Sequence, residues 1–160
     1  MILFHGSPQI VRDPHILTPK RTLDYGVGFY TTTSEQQARD WSLRRISTGQ
    51  SGYVNVYRFD EVAAASLKRL IFPNPPGEDW IDFVYANRNR RGFTHDNDLV
   101  YGPVANDRVY AAFALYEQGL LSKQELIVEL KTYRLIDQIV FHSEEALKLL
   151  TFISAKEIRL

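Results

Sequence analysis

The chain has 160 residues, of which 44% are hydrophobic and 24% charged, a composition typical of a globular protein with a buried core. Lys plus Arg and Asp plus Glu number 19 each, so no overall charge draws the protein to nucleic acid or anionic lipid, and such a partner needs a local patch. The absence of cysteine excludes disulfides, thiolate nucleophiles and cysteine metal sites.

The start of the chain gives no sign of export. Its first residues, Met-Ile-Leu-Phe-His-Gly, lack the basic region and apolar run of a signal peptide, and no stretch approaches about eighteen apolar residues. We therefore expect a cytoplasmic protein without a membrane partner. Because no repeat, low-complexity tract or linker divides the sequence, we also expect a single domain over residues 1–160.

Hydrophobic periodicity predicts mainly strands in the first half of the chain. The expected strands are 2–5, 29–31, 53–59 and 67–72, and a helix runs from Ser34 to about Ile46. Prolines 8, 14 and 19 exclude a continuous helix between the first two strands. The strands at 53–59 and 67–72 either pair with each other or lie in two sheets.

The second half is predicted to be mainly helical. The expected helices run from 78 to about 87, from 106 to 119, from 122 to about 131 and from 143 to 150, and the expected strands are 99–101 and 135–141. The tail from Ile153 is compatible with an added edge strand. Strands and helices mix without regular βαβ alternation, which indicates the α+β class.

Two short stretches carry the polar groups that suggest a ligand site. His5-Gly6-Ser7 places an imidazole, a bare backbone and a hydroxyl at the end of the first strand. Gly26-Val27-Gly28 then leads into the second strand, so the backbone there can approach a ligand closely.

Several common sites are excluded by spacing. The four histidines, His5, His15, His95 and His142, follow no metal-binding pattern, so we expect no metal. No phosphate-binding loop or serine nucleophile elbow occurs, and the glycine pair lacks the third glycine and the following helix of a dinucleotide fold.

Three segments together resemble the ADP-ribosyltransferase superfamily, in the branch shared by diphtheria toxin and the poly(ADP-ribose) polymerases. They are His5-Gly6-Ser7, Gly28-Phe29-Tyr30 and the strand Asp137–Phe141. The resemblance implies an ADP-ribosyltransferase fold, in which split antiparallel β-sheets with flanking helices surround an NAD cleft. The whole sequence also resembles small uncharacterised bacterial proteins of this superfamily, some of which are paired with antitoxins.

The resemblance also implies a role for each matching residue. His5 would bind the ribose attached to adenine, the Gly6 backbone would hold the nicotinamide amide, and Tyr30 would stack on the nicotinamide ring. Ser7 would bind the nicotinamide ribose or order the strand end. Gly28 and Thr31, on either side of Phe29-Tyr30, complete the expected NAD-binding set.

Gln138 stands where the superfamily usually has a glutamate. A glutamine accepts a hydrogen bond from a ribose hydroxyl but supplies no charge to an oxocarbenium-like transition state. Three outcomes follow: a slower transferase that uses Gln138, a carboxylate borrowed from Asp137, Glu144 or Asp107, or NAD binding without turnover. Alternation along a strand points Asp137 away from Gln138, which argues against a simple replacement.

Each of these residues also has an ordinary structural interpretation. The His5 ring would bind a backbone carbonyl, Tyr30 would fill the core, and Gln138 would pair with backbone. The basic run 88–91 is either a solvated loop or a binding site for NAD phosphates or an acidic acceptor.

The sequence thus predicts a mono-ADP-ribosyltransferase that uses NAD to modify a protein or nucleic-acid acceptor. We expect it to be the toxin of a bacterial toxin–antitoxin pair, with the antitoxin as a protein partner. The alternatives are an NAD glycohydrolase, with water as acceptor, and a catalytically weakened NAD-binding module.

Overall fold

A seven-stranded β-sheet forms the centre of the computed structural model, which describes residues 1–160. The strands are β1 (Ile2–Ser7), β2 (Phe29–Thr32), β3 (Ser51–Phe59), β4 (Arg69–Ile71), β5 (Leu99–Pro103), β6 (Asp137–Phe141) and β7 (Leu150–Arg159). They are arranged in the order β4-β5-β6-β2-β1-β3-β7, and every neighbouring pair is antiparallel except β4 with β5. The predicted α+β class is confirmed, with all the strands in one hydrogen-bonded sheet.

Six helices complete the fold: α1 (Glu35–Leu43), α2 (Glu61–Ala64), α3 (Glu78–Asn89), α4 (Asp107–Glu117), α5 (Lys123–Leu130) and α6 (Glu144–Leu147). Four of them begin where the capping residues predicted. The side chains of Ser34, Asn106, Ser122 and Ser143 each accept a hydrogen bond from the backbone N–H three residues later. These caps satisfy N–H groups that have no partner inside the helix.

Some predicted boundaries of helices and strands were wrong. The last helix ends at Leu147 instead of Leu150, because Leu150 already pairs with Phe59 and begins β7, three residues before the expected Ile153. This long-range pairing along β3 overrides the local helical pattern. The first helix ends at Leu43 instead of Ile46, and β6 begins at 137 instead of 135.

Two further differences concern the middle of the chain. The short helix α2, capped by Asp60, was not predicted. The apolar run 67–72 is a strand only at Arg69–Ile71, and this strand lies near the opposite edge of the sheet from β3. Of the two arrangements left open, neither direct pairing nor separate sheets is therefore correct.

The two faces of the sheet bury separate hydrophobic clusters. One cluster contains Trp80, Val109, Phe113 and Leu126 from α3, α4 and α5, and the other contains Phe59, Phe141, Ala64 and Leu147, which bring in α2 and α6. Helix α1 packs on the same face as α3–α5, through Ala38, Val54 and the half-buried Phe4. No helix of the structure has the length and apolarity required to cross a lipid bilayer.

The sheet is joined weakly at its centre. Strand β1 forms six residue pairs with β3, and β2 forms four with β6, but β1 and β2 share the single pair Phe4–Thr32. We call this join between β1 and β2 the seam. Helix α1 packs against β1 and also contacts β2 at the seam. The fold places the His5-Gly6-Ser7 and Gly28-Phe29-Tyr30 segments along the seam.

Candidate functional site

The hydrogen-bond ladder of the seam stops just before His5. Along an antiparallel strand, alternate residues direct their backbone groups to the same neighbour, so Gly6 faces β2 as Phe4 does. Beyond the Phe4–Thr32 pair, however, the Tyr30 carbonyl lies 2.7 Å from Nδ1 of His5. The imidazole takes the acceptor that Gly6 would otherwise use. The N–H and carbonyl of Gly6 are therefore outside the ladder and face the seam.

His5 presents a hydrogen-bond acceptor at its outer nitrogen. A carbonyl only accepts, so Nδ1 of His5 carries the proton and donates to Tyr30, which leaves a lone pair on Nε2. That nitrogen has no protein partner and is not sealed from solvent. Burial lowers the pKa of His5 to about 4. The hydrogen bond to the Tyr30 carbonyl opposes this shift, and the nearby charge of Arg45 adds to it. The imidazole is therefore neutral at pH 7. Its ring centroid lies 4.3 Å from that of Phe29, and the two ring planes are tilted by 30°.

Tyr30 is fixed by the loop that precedes it. Its hydroxyl donates to the Gly26 carbonyl at 2.7 Å and accepts from the Tyr25 N–H at 3.0 Å. Burial raises the pKa of this hydroxyl, which therefore stays protonated. Since both polar contacts are internal, the half-buried ring is the part of Tyr30 that is left for a ligand.

Strand register decides which faces the predicted residues use. Paired residues project from the same face, and successive residues from opposite faces. Thr32 pairs with both Phe4 and Gln138. The side chains of Tyr30 and Gln138 therefore project from the face that α1 and α3–α5 cover. The His5 ring projects from the other face and contacts Tyr30 only through the Tyr30 backbone carbonyl.

Gln138 is part of a buried polar cluster. Only 3% of this residue is exposed, and its Nε2 donates to the Pro103 carbonyl at 3.4 Å. The Tyr25 hydroxyl donates to the same carbonyl at 2.9 Å and accepts from Trp80 Nε1 at 2.8 Å. The amide is therefore directed toward β5 and α3 and makes no hydrogen bond with His5.

The three carboxylates considered as substitutes all have other surroundings. Asp137 is exposed and accepts a hydrogen bond from Asn74 Nδ2 at 3.0 Å. Asp107 lies 3.8 Å from Arg44, an ion pair between the start of α4 and the end of α1. Glu144 lies in the first turn of α6, where a negative charge complements the helix dipole.

The other predicted residues are largely explained by packing. The Ser7 hydroxyl accepts from the Gln9 N–H at 3.1 Å, and the fully buried Thr31 hydroxyl donates to the Ile139 carbonyl at 2.7 Å, so Thr31 offers no free polar group. A Cβ on Gly6 would lie 1.9 Å from the Ala38 carbonyl oxygen, and one on Gly28 would lie 2.7 Å from a methyl group of Val140. Close contact between elements therefore accounts for both glycines.

An ion network beside Tyr30 was missed by the sequence analysis. Arg88 lies 3.4 Å from Asp24 and 3.2 Å from Glu117, and the Tyr110 hydroxyl donates to Asp24 at 3.0 Å. The three charged side chains are 24%, 11% and 17% exposed, respectively. Burial raises the pKa of Asp24, and Tyr110 and Arg88 oppose the shift. The sequence left a solvated loop as one interpretation of the basic run 88–91, because no local pattern identified Arg88 as the residue whose side chain turns inward.

Two histidines without a predicted partner hold the loop before β2. His95 Nε2 donates to the Tyr25 carbonyl at 3.0 Å, and His142 Nδ1 donates to the Val27 carbonyl at 2.7 Å. Their rings are nearly perpendicular, 4.4 Å apart between centroids. Burial lowers the pKa of His142 to about 4, and its Nε2 is buried without a partner. No group of three or more acidic or histidine side chains is arranged to hold a metal ion.

Two of the open cavities on the surface are lined by charged side chains. The larger, about 610 Å³, lies between α1 and β7, and its Glu35 and Lys156 pair with each other at 2.7 Å. The smaller, about 480 Å³, adjoins Gly26 and Val27 and is lined by five cations and no anion: Lys20, Arg21, Arg88, Arg90 and Arg91. We call the second cavity the basic groove. It borders the loop that fixes Tyr30, whereas the larger one does not.

Comparison with known proteins gives a family. Residues 1–152 match the model of the family described as "Protein of unknown function (DUF3990)". No curated protein and no solved structure matches the chain.

Proposed function

The chain belongs to the DUF3990 family, described as being of unknown function, and from the seam we propose that this member is an NAD-dependent mono-ADP-ribosyltransferase with the corresponding fold. One observation carries the proposal. The His5–Tyr30 hydrogen bond leaves the Gly6 backbone outside the ladder and turns the lone pair of His5 Nε2 outward.

The groups along the seam suit a nicotinamide riboside. A primary carboxamide needs one acceptor and one donor side by side, and the carbonyl and N–H of Gly6 form such a pair. The neutral His5 Nε2 accepts a hydrogen bond from a ribose hydroxyl. The ring of Tyr30, which projects from the opposite face of the sheet to His5, offers an aromatic face for a ligand that extends through the seam, and stacking there adds about 0.5–1.5 kcal/mol beyond area burial.

In the proposed reaction, the bond between ribose C1′ and the nicotinamide nitrogen breaks, and neutral nicotinamide leaves with the bonding electrons. A nucleophilic atom of the acceptor forms a new bond to C1′ and releases its proton to solvent water. The protein contributes by binding and orienting the substrate, since C1′ passes through an oxocarbenium-like state.

Gln138 makes the proposed enzyme slow. Removal of one preorganised electrostatic group costs on the order of a hundred- to a thousandfold in rate, and an amide supplies no charge. The engagement of Gln138 with Pro103 also supports a second candidate, an NAD-binding module without turnover. The Gln138→Glu variant separates the two, provided that its unfolding is measured alongside. A large gain of turnover indicates lost catalysis in the natural chain, and a loss of turnover in a folded variant indicates that Gln138 is the working residue.

The test uses NAD labelled in its adenylate phosphate, the purified protein and a whole-cell extract. We expect label in the protein or nucleic-acid fraction, and at least a tenfold loss of both NAD affinity and labelling in His5→Ala. His15→Ala is the matched control, because His15 is exposed and contacts only Asp13 among charged residues.

Each other result has a definite meaning. Nicotinamide release without a labelled macromolecule identifies an NAD glycohydrolase, and NAD binding without release identifies a binding module. Equal affinity and labelling in His5→Ala and the wild type would reject the site.

We further propose that the protein acts as the toxin of a toxin–antitoxin pair. Its expression should arrest growth, the His5→Ala variant should not, and co-expression of the cognate antitoxin should restore growth. Unimpaired growth during accumulation of active wild-type protein would exclude this role.

A further inference from the structure

The basic groove is distinguished by charges that the protein itself does not neutralise. Of its five cations, only Arg88 is paired, with Asp24 and Glu117. The other four, Lys20, Arg21, Arg90 and Arg91, have no carboxylate within 4.0 Å and are exposed. In a chain with a net charge of zero, such a concentration makes a local field that the whole molecule lacks.

The groove adjoins the loop before β2 that fixes Tyr30. Gly26 and Val27 line it, and their carbonyls bind the hydroxyl of Tyr30 and the ring of His142. Positive charge also continues toward His5. Burial and the nearby Arg21 lower the pKa of Arg45, and the charge of Arg45 acts on His5 in turn.

From this geometry we propose that the basic groove binds a single-stranded nucleic acid and presents it as the acceptor at the seam. The inference rests on the proposed transferase function. Four unpaired cations exceed what the two phosphates of NAD require, and guanidinium groups match phosphate oxygens in a bidentate manner. The half-buried ring of Phe93 also lines the groove and offers a surface on which a base can stack.

The test measures fluorescence anisotropy of labelled twelve-nucleotide RNA and DNA strands without NAD, so it stays informative even if no transfer occurs. With four phosphate contacts, the logarithm of affinity should fall with the logarithm of salt concentration with a slope of about −3. This slope corresponds to about fiftyfold weaker binding at 200 mM than at 50 mM salt.

Two double variants isolate the groove. Arg90→Ala with Arg91→Ala should weaken binding at least tenfold at low salt and reduce the slope by about half, since two of four contacts are lost. Lys131→Ala with Arg134→Ala is the matched control, because these exposed cations lie outside the groove and should leave binding unchanged. In the extract assay, the groove variant should lose labelled nucleic acid while its NAD affinity stays constant.

Three results would overturn the proposal. The first is oligonucleotide binding that is weak, insensitive to salt or equal in the two double variants. The second is inhibition of labelling in the extract by added poly-glutamate but not by added oligonucleotide, which would assign the groove to an acidic protein. The third is an effect of the groove variant on NAD affinity alone, which would make the groove part of the dinucleotide site.

Discussion

Tyr30 illustrates how a single hydroxyl supports the candidate site. In Tyr30→Phe, the Gly26 carbonyl and the Tyr25 N–H lose their partner while remaining partly buried. We expect the free energy of unfolding to fall by roughly 1–3 kcal/mol, measured by urea denaturation. Tyr53→Phe is the control, since it removes a tyrosine hydroxyl that makes no hydrogen bond in the structure. Equal effects in the two variants would show that the loop is held by other contacts.

Acid sensitivity is a second property of single residues. His5 and His142 have their pKa lowered from 6.5 to about 4, so between these values the unfolded chain binds protons that the folded protein does not. Their stabilising contribution is therefore complete above pH 6.5 and decreases as the pH falls toward 4. The slope is at most about 1.4 kcal/mol per pH unit for each histidine.

Substitution by asparagine tests this dependence, because its amide retains a donor near the position of Nδ1. The double variant His5→Asn with His142→Asn should lose less stability between pH 6.5 and 4 than the wild type does, as measured by urea denaturation at each pH. His15→Asn, at an exposed position, should follow the wild-type curve. A double variant as acid-sensitive as the wild type would assign the loss to carboxyl groups.

The sequence predicted which strands hold His5 and Tyr30, but not which face of the sheet each side chain projects from. It placed His5 in the first strand and Tyr30 in the second, and both strands are confirmed, but β1 continues two residues past the expected end at His5, to Ser7. The opposite faces of His5 and Gln138 depend on the pairing of Phe4 with Thr32 and of Thr32 with Gln138. A one-residue change of register would exchange those faces, and no local signal fixes it.

Contact between α1 and β1 depends on the absence of a side chain at Gly6. In Gly6→Ala, the new methyl group would lie 1.9 Å from the Ala38 carbonyl oxygen, so the helix must move away from the strand. We expect a loss of roughly 1–3 kcal/mol in the free energy of unfolding, as for other overpacked cores.

The control for this substitution is Gly77→Ala. A Cβ there meets no atom within 4 Å, and the backbone has an ordinary φ of −114°. Its cost at the helix N-cap should be about 1 kcal/mol or less. If thermal denaturation gave both variants the same midpoint, the packing of α1 on Gly6 would not be limiting.

Arg88 links α3 to α4 and to the loop before β2. In Arg88→Met, Asp24 and Glu117 keep their charges in a partly buried space without the cation between them. Loss of one partner of a buried ion pair costs about 3–5 kcal/mol, and partial exposure here favours the lower end of that range. Denaturation with and without Glu117→Gln checks the cause, because the second substitution should recover part of the loss.

Helix starts were predictable because a cap acts over only three residues. Ser34, Asn106, Ser122 and Ser143 each carry their own signal. The edge strand expected from Ile153 is confirmed as β7, but its first three residues were missed because they are stabilised by pairing with β3, about one hundred residues away in sequence. The element follows from its partner more than from its own composition.

At the scale of the whole molecule, the amides that face the seam should exchange faster than those within the two halves of the sheet that the seam separates. The amides of Gly6 and Tyr30 face the seam outside any ladder, whereas those of His5 and Thr31 lie within the ladders to β3 and β6. Hydrogen exchange followed by NMR should therefore give protection factors at least tenfold lower for the first two amides. NAD should raise the protection of Gly6 in particular. Uniform protection across the four amides would mean that the two halves behave as one continuous ladder.

The strand order of the sheet could not be predicted from the sequence. Strands were expected near all seven positions, but β6 inserts between β5 and β2, and β4 pairs in parallel with β5 at the far edge. These neighbours are set by the total area that the two clusters bury, which no window of the sequence samples.

The position of β6 also decides when the protein is complete during its synthesis. Thr32 donates to a carbonyl that belongs to Asp137, 105 residues later. At the usual speed of translation, that partner leaves the ribosome roughly 5 to 20 s after β2. A nascent chain therefore exposes one side of β2 for most of its elongation, and any activity that requires both halves of the sheet begins only when translation is nearly finished.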